Sequence, residues 1–168
     1  MSNLFKYPGA ISYLLLIFLV NLAFPYLPIY TIFHSPFSAG DFTVGVIYIA
    51  RDFAQREVGK NVIYLMIIGC VLSYLFADRQ IALASICAFG VGETIDWSLY
   101  TFLSRPFSQR LLASSMLSVP VDTVIFLYLI NQLNFAGFMV MTSAKLLGIS
   151  MVWLSWRRRQ SMQLVAAS

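Results

Sequence analysis

The chain has 168 residues, of which 60% are hydrophobic and only 11% are charged. Soluble domains carry about 25% charged residues, so this composition excludes a water-soluble globular protein, and its apolar content excludes a disordered chain. A net charge of +4 without a basic patch excludes a nucleic-acid-binding protein. The class that remains is a polytopic membrane protein, in which each spanning helix takes about 20 residues.

Six apolar segments predict an all-α fold, a bundle of six transmembrane helices with short loops that forms a single domain over residues 1–168. The spans are placed approximately at residues 11–33, 42–54, 62–77, 81–103, 111–130 and 135–156. The first contains Pro25 and Pro28, which remove backbone donors, so we expect a kink or break there. Its apolar run is longer than a signal peptide, which favours a retained helix.

The lysines and arginines are distributed unevenly between the two sides of the predicted bundle. If the spans alternate, nine fall on the side of both termini: Lys6, Arg51, Arg56, Lys60, Arg105, Arg110, Arg157, Arg158 and Arg159. The opposite side carries only Arg79. Cytoplasmic loops are enriched in lysine and arginine, so we expect a multi-pass protein of the cell (inner or plasma) membrane with both termini in the cytoplasm.

Four ionisable residues lie inside the later spans, namely Glu93, Asp96, Asp122 and Lys145. Each such charge costs about 2.5–3.5 kcal/mol even on insertion scales. Two interpretations stay open, a structural ion-pair network and a polar site for a substrate or ion. Neighbouring carboxylates tend to raise one pKa, which suits either a proton-coupled step or a neutral acid that donates a hydrogen bond.

The fourth span presents a polar and aromatic face. Glu93 and Asp96 are three residues apart and therefore share one side of a helix. Phe89 and Tyr100 extend that side, and Trp97 borders it. We expect all five to belong to the substrate site. Gly90 and Gly92 are expected to allow close helix packing.

The fifth and sixth spans bring further polar residues to the same depth. Ser118 and Asp122 continue a stripe on the fifth span, where Pro120 is expected to interrupt the helix. Asp122 lies about nine residues before the next turn and Lys145 about eleven after it, so both lie about 14–17 Å from that turn. We expect the two to pair within one polar cavity that also holds Asp96, and we include Ser118 in the site.

A second charged stretch, residues 51–60, ends the second span. One interpretation is a helix end capped by Gly59 with interfacial charges. The other is a cytoplasmic gate formed by Arg51, Asp52 and Arg56. The span is expected to continue as a helix into this stretch.

The motifs of hydrolases and metal sites do not occur in the sequence, so no catalytic activity, metal or cofactor is expected. His34 is the only histidine and lies in a loop. Cys70 and Cys87 lie in apolar runs and are most simply small core residues.

Several of these strings resemble a known family. The string Ala88–Asp96, with Glu93 three residues before Asp96, is similar to a core motif of the queuosine precursor transporters of the vitamin uptake transporter family. The string Ser118–Phe126, with Asp122 followed by threonine, resembles that family's motif on the next span. Asp52 with Gly59 seven residues later, and a lone lysine on the last span, also fit. Arg56 stands where many members carry glutamate.

This resemblance implies import of a 7-deazaguanine base, such as 7-cyano-7-deazaguanine, for queuosine modification of tRNA. A carboxylate of Glu93 or Asp96 would accept the adjacent donors of a guanine-like edge, and the aromatic residues would stack on its ring. Lys145 would donate to its carbonyl or neutralise a carboxylate. The transporter would be secondary or facilitative. The alternative is a substrate-binding membrane subunit of an ATP-driven uptake complex. The expected partners are the purine-like substrate and the lipid bilayer, with a homo-oligomer left open.

Overall fold

The computed structural model describes residues 7–32, 35–76 and 82–166, and these form six α-helices and one β-hairpin. Lys6, His34, Asp78 and Arg79, which the topology and loop predictions involve, lie outside the described residues. The helices are α1 (Pro8–Ala23), α2 (Ala39–Val58), α3 (Val62–Phe76), α4 (Ala82–Phe102), α5 (Phe107–Leu129) and α6 (Phe135–Ala166). The strands are β1 (Ile29–Ile32) and β2 (Ser35–Ser38).

The first predicted span is wrong in its second half. α1 begins with Pro8, whose missing amide proton costs nothing at a first helical position, and ends at Ala23, before a short 3-10 turn at Phe24–Tyr26. The chain then forms an antiparallel hairpin in which Ile29 pairs with Ser38. The expected kinked helix to residue 33 is therefore a shorter helix and a hairpin, with Pro25 and Pro28 between them.

α2 begins at a reciprocal cap. The Ser38 hydroxyl accepts from the Gly40 amide at 3.2 Å, and the Ser38 amide donates to Asp41 Oδ2 at 2.9 Å. As expected, α2 continues through the charged stretch, to Val58. Gly59, with φ +63°, then reverses the chain into α3 through the 3-10 turn Gly59–Asn61.

The six helices pack as a closed ring in the order α1, α2, α6, α5, α4, α3 and back to α1. Helices that are consecutive in the chain run antiparallel. The outward side of α3 is apolar and exposed, as the lipid-facing side of a membrane bundle is. Its exposed residues are Ile63, Tyr64, Ile67, Ile68, Val71, Tyr74, Leu75 and Phe76. Polar side chains concentrate inside the ring.

α2 and α6 approach each other closely at two glycines. A Cβ atom on Gly45 would collide with the carbonyl oxygen of Lys145, and one on Gly148 would collide with the carbonyl oxygen of Phe42. Small residues at such crossings allow backbone contact in membrane bundles. Gly92 on α4 has the same role, because a Cβ atom there would collide with the Tyr48 hydroxyl. The packing prediction is therefore confirmed for Gly92, whereas Gly90 has only Cys70 Sγ at 3.8 Å.

In the described residues, four helical stretches are long and apolar enough to cross a membrane. They are Pro8–Tyr26, Ala39–Phe76, Phe107–Leu129 and Phe135–Arg159, the second of which comprises α2 and α3 together. A multi-pass membrane protein is therefore supported, while six spans and the side on which the termini lie stay predictions. α6 extends ten residues past its predicted end at residue 156. α5 continues through Pro120, so the expected interruption there is wrong.

Candidate functional site

A cavity of about 80 Å³ lies inside the ring, and every one of the six helices contributes to its wall. Its polar lining residues are Asn21, Asp41, Ser73, Ser85, Asp122 and Lys145, and its aromatic ones are Phe24, Phe89 and Phe126. We call it the central cavity. A water molecule needs about 10–15 Å³ by this measure, so the central cavity has room for several.

The central cavity lies toward the hairpin end of the bundle. A second cavity of about 160 Å³ shares Phe24, Asp41, Phe126 and Met141 with it, and continues to Ile29 and Phe37 of the hairpin. The two volumes form one path toward the strands. The opposite end, where α1 begins and α6 ends, is the termini end.

Asp122 and Lys145 form a buried ion pair on the wall of the central cavity. Lys145 Nζ donates to Asp122 Oδ2 and also contacts Thr123 Oγ1 at 3.3 Å. Both residues are only 4% exposed. The predicted pairing of these residues is confirmed, and it results from α5 and α6 running antiparallel from a short turn.

A second cluster of polar side chains lies closer to the termini end, around Arg51. Arg51 Nη1 lies 2.9 Å from Asp52 Oδ1, and Arg51 Nε lies 3.4 Å from Glu93 Oε2. Arg51 Nη2 is in close contact with Asp96 Oδ2. All four side chains are fully buried. We call Arg51, Asp52, Glu93 and Asp96 the Arg51 layer.

Neutral side chains extend the Arg51 layer across the ring. The Tyr13 hydroxyl of α1 donates to Glu93 Oε2 at 3.1 Å. Arg51 Nη1 donates to Gln55 Oε1 at 2.7 Å, and Gln55 Nε2 donates to Thr101 Oγ1 at 2.8 Å. These contacts join α1, α2 and α4, and they fill the interior where the central cavity ends.

The expectation that Asp96 shares one cavity with Asp122 and Lys145 is wrong. Asp96 and Glu93 belong to the Arg51 layer, and neither lines the central cavity. Gly92 marks the boundary, because it packs against Asp122 of the cavity wall and directly precedes Glu93 of the layer. Phe89, four residues before Glu93 on the same face, lies on the cavity wall.

The remaining predicted site residues lie away from the central cavity. Trp97 is half-buried and packs near Phe102, and Ser118 is buried with its hydroxyl directed at the Ser115 carbonyl, 3.5 Å away. Tyr100 is buried under the Arg110 guanidinium, which lies 4.6 Å from its ring centroid.

Of the three predicted gate residues, Arg51 and Asp52 belong to the buried layer. Arg56 is exposed, with its guanidinium 5.1 Å from the centroid of Phe107. Arg51 is therefore an interior residue, and the interpretation of the whole stretch as interfacial charges holds only for its later part.

Four polar residues that line the central cavity, Asn21, Asp41, Ser73 and Ser85, are absent from the sequence prediction. Asn21 Nδ2 donates to Ser73 Oγ at 3.0 Å, which links α1 to α3 on the cavity wall. Asp41 is 5% exposed and lines both cavities. Asn21 and Ser73 are polar residues in otherwise apolar runs, and this is the signal that could have identified them. Asp41 falls in a predicted loop because the second span is predicted to begin at residue 42, three residues after α2 begins.

At the termini end, Glu57 links α2 to the start of α1. Both of its carboxylate oxygens accept from the Gly9 amide at 2.8 Å, and Oε2 also accepts from the Ala10 amide at 3.2 Å. A carboxylate at a helix N-terminus satisfies free amides and interacts favourably with the helix dipole. α1 and α2 are thus tied together where the Arg51 layer fills the interior.

Residues 75–157, from the end of α3 into α6, match the model of a family described as "putative vitamin uptake transporter". This match supports the vitamin uptake transporter family for the chain. It covers Glu93 and Asp96 of the Arg51 layer, and Asp122 and Lys145 of the buried ion pair. The comparisons with curated proteins and with solved structures find no match.

Proposed function

We propose that the chain imports a queuosine precursor, a 7-deazaguanine base such as 7-cyano- or 7-aminomethyl-7-deazaguanine, across the cytoplasmic membrane. We further propose that it acts as a secondary or facilitative transporter and not as an enzyme. The observation that carries a transport role is the central cavity, a mostly apolar volume with six polar side chains on its wall, in a chain that matches a transporter family. The choice of substrate rests on the motif resemblance together with the chemistry of the cavity wall.

The wall of the central cavity suits a guanine-like edge. Such an edge presents two adjacent donors, N1–H and the 2-amino group, which a carboxylate accepts as a bidentate pair. Asp41 supplies a buried carboxylate, and Lys145 supplies an ammonium that can donate to the ring carbonyl. Phe24, Phe89 and Phe126 supply aromatic faces, and stacking of a base on such a face is worth about 1–3 kcal/mol.

The Arg51 layer suits a gate. With both termini in the cytoplasm, the central cavity lies on the outer side of the membrane and the Arg51 layer on the cytoplasmic side. The layer contains four fully buried charged side chains held by one another, so a substrate in the cavity would pass only after these contacts separate. Arg51 and Asp52 are then gate residues, and Arg56 lies outside the gate.

The test of the proposed function is uptake in cells that cannot synthesise the 7-deazaguanine precursor. Cells that express the chain should regain queuosine in tRNA when the precursor is added at low concentration, measured by mass spectrometry of tRNA nucleosides. Cells with an empty vector should not. Absence of queuosine in cells that hold the folded protein in the membrane would contradict the proposed substrate.

The site within the protein is tested by Asp41→Asn. Loss of a charge-assisted hydrogen bond costs about 1.5–3 kcal/mol, so half-maximal uptake should require at least about tenfold more precursor. The matched control is Thr43→Val on the same helix, because among the described residues the Thr43 hydroxyl has one hydrogen-bond partner, the Ala39 carbonyl at 3.3 Å. Equal uptake by the wild type and Asp41→Asn would exclude Asp41 as a ligand of the base.

A further inference from the structure

The charges of the Arg51 layer do not balance. Arg51 supplies one positive charge, whereas Asp52, Glu93 and Asp96 supply three negative charges when all are ionised, and all four side chains are 0% exposed. An uncompensated carboxylate in an apolar interior is very costly, and such a group takes up a proton instead.

The groups around the layer do not remove this excess. Six other titratable or charged side chains among the described residues face the Arg51 layer. They are Tyr13 on α1, Tyr48 on α2, Cys70 on α3, Tyr100 on α4, and Arg110 and Asp122 on α5. Lys145 on α6 is already paired with Asp122. Among the described side chains that face the layer, Arg110 alone adds a positive charge, from a half-buried position beside Tyr100. Even with Arg110 counted, one negative charge remains, so the layer holds at least one proton.

Glu93 is the acid best placed to carry that proton. Arg51 lies closer to Asp52 and Asp96 than to Glu93, which is 3.4 Å away. Each of the three acids has one buried oxygen without a partner among the described residues, namely Asp52 Oδ2, Glu93 Oε1 and Asp96 Oδ1, so the distance to Arg51 and the position in the ring distinguish them. Glu93 also comes directly after Gly92, the boundary with the central cavity, and is therefore the acid of the layer nearest to water in that cavity.

We propose that Glu93 is a proton-binding site and that each substrate passage carries a proton through it. While the layer is closed, Glu93 is a carboxylic acid and Arg51 pairs with Asp52 and Asp96. When these contacts separate toward the termini end, water reaches Glu93, the acid releases its proton to that water, and the carboxylate pairs with Arg51. Water of the central cavity then reprotonates it. This inference rests on the proposed function. Each proton that Glu93 takes up from the central cavity is released into the cell.

The first test uses the full chain in lipid vesicles that contain a pH-sensitive dye. Addition of 7-aminomethyl- or 7-cyano-7-deazaguanine outside should acidify the interior of wild-type vesicles. An inward gradient of one pH unit should sustain about a tenfold accumulation, if one proton accompanies one substrate. In Glu93→Gln the accumulation should fall to the level without a gradient. Glu57→Gln makes the same substitution at an exposed acid outside the layer and should retain coupling.

The second test needs neither substrate nor a functional variant. Infrared spectra of the wild-type protein in lipid at neutral pH should contain the carbonyl stretch of a protonated carboxylic acid, and Glu93→Gln should lose it. A wild-type spectrum without this band, a band that persists in Glu93→Gln, or accumulation driven by a sodium gradient in place of a pH gradient would each overturn the proposal. A band that depends on Glu93 in a protein that moves no 7-deazaguanine would support the proton site and contradict the proposed function.

Discussion

Replacement of Lys145 by methionine isolates the energetic role of the buried pair. Methionine fills most of the volume of the lysine stem but removes the ammonium that neutralises Asp122. Removal of one partner from a buried pair costs about 3–5 kcal/mol, because the other charge is left without compensation. The Thr123 hydroxyl retains its bond to the Val119 carbonyl at 2.8 Å, so the loss is concentrated at Asp122. We expect Lys145→Met to lower the free energy of unfolding by that amount.

The double variant Asp122→Asn with Lys145→Met separates this cost from simple loss of a contact. Replacement of both charges by neutral side chains is often close to neutral, so the double variant should unfold within about 1 kcal/mol of the wild type while precursor uptake remains lost. The measurement is a double-mutant cycle from reversible denaturant titrations in mixed micelles, monitored by tryptophan fluorescence. A single variant as stable as the wild type, or a double variant less stable than the single one, would refute the reasoning.

The packing, the ends of the helices and the charge distribution support three further predictions. Gly45→Ala should destabilise the protein by about 1–3 kcal/mol, because the added Cβ would collide with the Lys145 carbonyl. Gly90→Ala should stabilise it by about 0.5–1 kcal/mol, because the added Cβ would meet no closer atom than Cys70 Sγ. The same denaturant titrations compare the two variants. Glu57→Ala should lower the free energy of unfolding by about 0.5–2 kcal/mol, the range for loss of a helix N-cap. Glu57→Gln should lower it less, since the amide keeps one acceptor oxygen. Equal losses in the two variants would argue against the contacts with Gly9 and Ala10. A fluorescent-protein fusion at Ser168 should be bright and a phosphatase fusion inactive, because lysine and arginine mark the cytoplasmic side; the opposite pattern would invert the direction of transport proposed above.

The positions of the helices could be predicted from the sequence because apolar runs of the right length have few other stable forms in a membrane. The hairpin could not, since Ile29–Ile32 is as apolar as a helix in a span and differs only in the prolines that precede it. Pro25 and Pro28 predict a break in the helix, but they do not predict that the residues after the break form a strand. Pro120 shows the converse, because α5 tolerates a proline where neighbouring helices support it.

The pair of Asp122 and Lys145 could be predicted because residue counts from a short turn fix depth in an antiparallel pair. The separation of Asp96 from that pair could not, because it depends on how α4 is rotated in the ring and on which cation it meets. Arg51 supplies that cation. Its position at the end of a short apolar segment favoured an interfacial place, and only the continuation of α2 to Val58 places it inside the bundle.

The short length of α1 has a consequence for the surrounding lipid. Its 16 residues rise about 24 Å, against a hydrocarbon thickness of about 30 Å. On the other side of the ring, the 23 residues of α5 rise about 34 Å. In the six-span arrangement, one wall of the protein is too short for the bilayer and the opposite wall is long enough. Acyl chains beside α1 must therefore compress or the bundle must tilt, and membrane thickness becomes a force on the helix whose Tyr13 bonds to Glu93 in the proposed gate.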